Sequence, residues 1–157
     1  MFERVRLEAG MRMLPVLTGG LCAGLVVVAG EALLNLLVLA GEWKAQATRL
    51  SLPAPTPFAA VQAVLKLLLL GAITMGLGKL LLPAVKHPAL ADLSAGLLVW
   101  LLVWAWVQWG MLLAGYVTPR IATTTVAWGL VELPLAALCG GLVLRWTQTQ
   151  VAPGDLW

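Results

Sequence analysis

The sequence predicts an all-α polytopic membrane protein, a four-transmembrane-helix antiparallel bundle forming one membrane domain over residues 1–157. Three observations predict it. Hydrophobic residues make up 61% of the chain, with a mean hydropathy of +0.95, against ~45–50% apolar residues in ordinary soluble domains. Charged residues are only 11%, less than half the soluble norm of ~25%. Apolar runs recur at 13–40, 58–82, 93–117 and 121–146, each long enough for the ~20 residues a spanning helix needs. The net charge of +3 comes from Arg and Lys near the ends of these runs rather than from a basic patch, which argues against a nucleic-acid partner.

The first run follows Arg4, Arg6 and Arg12 and resembles a signal-peptide start. It extends far beyond the ~7–15 apolar residues of a secretory core and lacks an Ala-x-Ala site, so it is expected to stay as an uncleaved helix. Bulky Leu21 ahead of Cys22 does not fit a lipobox. The outer loop, 41–57, holds Glu42, Trp43, Lys44, Gln46 and Arg49, then three prolines. Trp43, Ala47 and Leu50 recur at helical spacing, which fits either a short interfacial helix anchored by Trp43 or a solvated loop. Thr56-Pro57 supplies a helix N-cap followed by proline at the first helical position, where its missing N–H costs nothing. The second helix carries Gln62, Lys66 and Thr74. The cytoplasmic loop, 83–92, is broken by Pro83 and Pro88, with Asp92 expected to cap the third helix. Thr118-Pro119 repeats the capping signal before the fourth helix, and the tail, 147–157, reads as polar and frayed. With four spans, the side holding both termini and Lys86 carries more cations than the side holding Lys44, Arg49 and Arg120. The positive-inside rule then places both termini in the cytoplasm, in a bacterial inner membrane.

Ionisable groups inside a span are costly and are functional candidates by default. Six polar residues fall near one layer: Glu31, Asn35, Gln62, Lys66, Gln108 and Glu132. Helices one and two run antiparallel, so Glu31 with Lys66 and Asn35 with Gln62 share one register, each set being an i, i+4 pair. The register predicts a Glu31–Lys66 ion pair with an Asn35–Gln62 hydrogen bond one turn away. Gly19, Gly20 and Gly24 of helix one lie at depths matching Ala136, Ala137, Gly140 and Gly141 of helix four. Small residues let backbones approach, and that contact would bring Glu132 near Glu31. Pro134 would also leave the Leu130 carbonyl without its helical donor.

The third helix holds Trp100, Trp104, Trp106 and Trp109. Indoles at mid-span favour helix packing, a partner subunit, or an apolar ligand such as a lipid, quinone, carotenoid or pigment. No cofactor is otherwise signalled. His87 is the sole histidine, and its polar loop makes it a poor haem or pigment ligand. Cys22 and Cys139 sit alone in apolar runs, without metal-ligand or disulfide spacing. No nucleophile and base pair presents itself, so an enzyme is not expected.

Two functions fit these residues. One is a non-catalytic accessory or assembly subunit of a larger membrane complex, its polar cluster fixing helix register. The other is a homo-oligomeric proton- or cation-coupled carrier working through Glu31 and Glu132. Small multidrug carriers also have four helices and a membrane glutamate, but no further motif of theirs occurs. Gly30-Glu31-Ala32-Leu33-Leu34-Asn35, Leu39-Ala40-Gly41-Glu42-Trp43 and the run from Ala127 to Ala136 resemble a loose group of small four-helix bacterial membrane proteins. That resemblance implies architecture and carries no activity.

Overall fold

The computed structural model describes the backbone over residues 2–151 and the side chains over 13–150. Among these residues the structure is helical, without strands. Helix α1 (Phe2–Leu33) runs on through a π-helical turn at Leu34–Val38. A short helix, α2, covers Ala40–Arg49. Helices α3 (Pro57–Val85), α4 (Pro88–Leu113) and α5 (Pro119–Val151) follow, α4 containing a second π-helical segment at Trp100–Ala105. Four of the five helices are long and apolar enough to cross a membrane. The charges of the first 12 residues and the end of the tail, 152–157, lie outside the described side chains.

Helix α1 packs on α3 and α5, and α4 closes the arrangement by packing on the same two. Small residues set these contacts. A Cβ on Gly20 or Gly71 would strike backbone of the facing helix, at Ala72 in one case and at Gly20 and Gly24 in the other. Gly19 meets Gly140 across the α1/α5 contact, and Gly96 meets Leu133 and Pro134 across α4/α5. Where lipid offers no hydrophobic contrast, such close approach is what holds helices together. The glycines expected to serve α5 therefore divide. Gly19 faces α5, whereas Gly20 and Gly24 face α3, because adjacent helical positions are about 100° apart.

Two buried clusters result. Ala23, Val27, Met75, Val99, Trp104, Leu133, Ala136 and Ala137 fill the centre and terminal half. Leu34, Leu39, Val117, Ile121 and Ala122 form a second cluster under α2, with Trp43 and Trp128 against it. On α4 the buried positions Ala95, Val99 and Trp104 step by four and then five residues, and on α1 Leu34 to Leu39 is again a step of five. The π turns create these longer steps, seen directly in the Leu39 N–H bond to the Leu34 carbonyl. Each inserts one residue and keeps the next side chain facing inward.

Several boundaries differ from the sequence expectation. Pro83 does not end α3, since it sits within the last turns and the helix closes at Lys86 in the left-handed region (φ 60°). Helix α4 begins at Pro88, so Asp92 lies inside it rather than capping it, and Thr147–Val151 continue α5. Both expected Thr-Pro starts form: Thr56 Oγ1 accepts from the Ala59 N–H and Thr118 Oγ1 from the Ile121 N–H.

The segment after α1 takes the helical alternative. Leu112, Gly115 (φ 76°) and Tyr116 form a Schellman cap at the end of α4, with Tyr116 N–H bonding the Met111 carbonyl. Helix α2 docks on that cap. Gln46, 3% exposed, donates to the Tyr116 carbonyl (2.6 Å), and Arg49 donates to the Gly115 carbonyl.

Candidate functional site

Glu31 sits one turn before the π turn of α1, and that turn swings Asn35 back over it. The Asn35 amide donates both to the Glu31 carbonyl (2.8 Å) and to its Oε2 (2.7 Å). Trp104, buried by the π segment of α4, donates from Nε1 to Glu31 Oε1 (3.0 Å). Trp43 of α2 donates to Asn35 Oδ1 (2.7 Å). Each Glu31 carboxylate oxygen thus has a donor, and the chain Trp104–Glu31–Asn35–Trp43 ties three helices together.

Glu132 has the opposite surroundings. Its carboxylate lies against Gly30, where any Cβ would collide with it, so the glycine is what allows α5 to bring a second carboxylate beside Glu31. The residue is 7% exposed, and neither carboxylate oxygen has a hydrogen-bond partner. One turn earlier, the buried indole N–H of Trp128 is also unpartnered, as are Thr125 Oγ1 and Gln108 Oε1. Buried polar atoms without partners are costly. Glu132 and Trp128 line a lateral groove of about 990 Å³ between α1 and α5, whose other walls include Ala29, Leu33, Ala127, Val131 and Leu135. The groove is apolar apart from this carboxylate, the indole N–H and two threonines.

Of the six polar residues expected in one cluster, Glu31 and Asn35 bond each other and Glu132 stands beside them. Gln108 is partly buried on α4. Gln62 and Lys66 are not brought to the cluster. Every residue from Ser51 to Lys66 is exposed, and Lys66 makes no hydrogen bond or ion pair among the described residues. The Glu31–Lys66 pair is therefore absent within the chain, as is Asn35–Gln62. The physical reason is register and spread. Gly20 meets Ala72 and Gly24 meets Leu68, which sets Lys66 level with Val26 rather than with Glu31, and toward α2 the first part of α3 is covered by no other helix.

The tryptophans also divide. Trp100 donates to the Val126 carbonyl (2.8 Å) and Trp104 to Glu31, whereas Trp106 and Trp109 are 74% and 61% exposed. His87 is exposed, and no group of three potential metal ligands occurs among the described residues.

Sequence reasoning missed a second site at the end carrying the termini. Asp92, 7% exposed, accepts from Arg145 at 2.6 Å, its carboxylate lodged where Gly78 and Gly141 leave space. A cavity of about 220 Å³ adjoins it. The signal was available, since opposite charges occur early in one helix and late in its antiparallel neighbour. Trp43 and Trp128 carried no signal beyond hydrophobicity.

Comparison with protein-family models, curated proteins and solved structures finds no match to this chain.

Proposed function

We propose that this chain is an integral membrane protein, a four-helix bundle spanning the bilayer, that acts without catalysis as a subunit of a larger membrane assembly. One observation carries the reading. Lys66 lies well inside an apolar span, and neither it nor its neighbours Gln62 to Leu65 are covered by any part of the chain. A cation facing hydrocarbon is expensive, so residues of this kind normally face protein or a water-filled cavity. Another chain against the first half of α3 removes that cost. Exposed Trp106 and Trp109 add aromatic surface on α4, and the bonded Trp104–Glu31–Asn35–Trp43 chain supplies rigidity without offering a reacting group.

The test is gentle native purification of the untagged assembly, with mass and absorbance recorded together. The expected result is a particle larger than one chain. A monomer that retains its fold in native lipid overturns the reading, and a pigment or quinone spectrum would locate a ligand to seek at the tryptophan surface. A second reading, the proton- or cation-coupled carrier, is favoured by the unpartnered Glu132 carboxylate at a groove open to the side. For a carrier, substrate would have to exchange at that carboxylate.

A further inference from the structure

The chain holds a buried carboxylate without a donor and, elsewhere in the same apolar region, an ammonium without an acceptor. They do not meet within one molecule: Glu132 is in the α1/α5 groove, and Lys66 is on the free part of α3, across α1 from it. We propose that a second copy of this chain completes both, the Lys66 side chain of each copy entering the other's groove and bonding Glu132. This rests on the reading above that the chain is a membrane-assembly subunit, and names the partner at that same surface.

Depth and direction both fit. Helix α1 serves as a common ruler. Because Gly20 meets Ala72 and Gly24 meets Leu68, the antiparallel register sets Lys66 level with Val26 and Gln62 level with Gly30. Glu132 packs on Gly30. A two-fold axis along the helices preserves these levels between copies. Gln62 then lies at the height of the Glu132 carboxylate, and Lys66 about four residues, or ~6 Å, toward the terminal end. The lysine stem closes that gap, because side chains lean toward the N-terminus of their helix and α3 starts at the α2 end. Two donors, an ammonium and a carboxamide, meet two empty carboxylate oxygens.

Around α1, the residues facing α3 (Gly20, Gly24), then the exposed Leu14, Leu21 and Leu25, then the groove residues Ala29 and Leu33 follow one another at roughly quarter-turn intervals. An axis beside the leucines therefore carries each α3 to the partner's groove. The contact is isologous and closes at two copies. Filled by Lys66, the groove becomes an assembly joint and is closed to exchanging substrate.

The full-length protein in native membranes, with Cys22→Ala and Cys139→Ala as background, provides the test. A residue beside a two-fold axis meets its own copy, so oxidation of Leu25→Cys should give a covalent dimer, whereas Leu102→Cys on α4 should give none. Lys66→Glu and Glu132→Lys should each lose the Leu25→Cys dimer, and the exchange of both charges should restore it. Where a reversal blocks folding, Lys66→Met provides the milder loss. Undiminished dimer in Lys66→Met, or an exchange that fails to rescue folded protein, overturns the Lys66–Glu132 joint. Absence of the Leu25→Cys dimer while unrelated chains co-purify overturns the second copy and leaves the subunit reading intact. A monomer with neither overturns both.

Discussion

Replacing Gly71 and Gly76 with alanine in turn puts the same added methyl group on the same helix in two different surroundings. At Gly71 a Cβ would run into the Gly20 carbonyl and the Gly24 amide and Cα, all backbone, so no rotamer change relieves the contact and α1 and α3 must separate. Overpacking of this kind costs ~1–3 kcal/mol, partly offset by the ~0.5–1 kcal/mol that alanine gains over glycine in a helix interior. The expected net loss is ~0.5–2 kcal/mol. At Gly76 nothing lies within 4 Å of the added atom, so only the propensity term remains and the protein gains up to ~1 kcal/mol. Unfolding by SDS titration from mixed micelles, followed by far-ultraviolet circular dichroism, measures both. The opposite signs are the content of the prediction. Equal shifts for the two variants would refute the claim that α1 and α3 meet backbone to backbone at Gly20, Gly24 and Gly71.

Further outcomes are expected from the other contacts. Trp104→Phe should cost ~1–3 kcal/mol by taking a donor from buried Glu31, whereas Trp109→Phe should leave the same unfolding midpoint nearly unchanged. In monomeric detergent-solubilised protein, Glu31→Gln and Lys66→Met should be additive within ~0.5 kcal/mol in a double-mutant cycle; a larger coupling would restore the intramolecular pair. Asp92→Ala and Arg145→Ala should instead couple by ~1 kcal/mol or more, as a short, partly buried charged hydrogen bond does. Gln46→Ala should free α2 from the Tyr116 carbonyl, seen as faster amide hydrogen exchange across residues 40–49 with little change in the long helices.

The four long apolar helices were legible because hydropathy and Thr-Pro starts depend on composition and local chemistry, both of which survive folding unchanged. That Glu132 would approach Glu31 was also legible, since matched small residues in α1 and α5 fix that contact. The partner of Glu31 was not. Counting registers from predicted midpoints set Lys66 opposite Glu31, whereas the glycines of α1 fix the pairing five residues away, and which glycine faces which neighbour depends on helix rotation that hydropathy does not encode. Asn35 was placed in the right cluster but with the wrong donor set, because the π turn that folds it onto Glu31 has no compositional signature. Reading Asp92 as a cap failed for another reason: Pro88 starts α4 a turn earlier, and its acidic side chain is then carried inside to Arg145.

The two π segments also bear on how sequences of this architecture can vary. Each holds one residue more than an α-helix of the same rise needs, so a deletion of one residue within Trp100–Ala105 can be absorbed by reverting to ordinary helix, leaving the backbone continuous. It would rotate everything from Trp106 to Leu113 by about 100°, turning Gln108 away from its neighbours while length and hydropathy stay almost the same. Among chains of this architecture, single-residue gaps at these two turns would therefore redistribute which side chains meet lipid and which meet protein, and a hydropathy plot would record no difference.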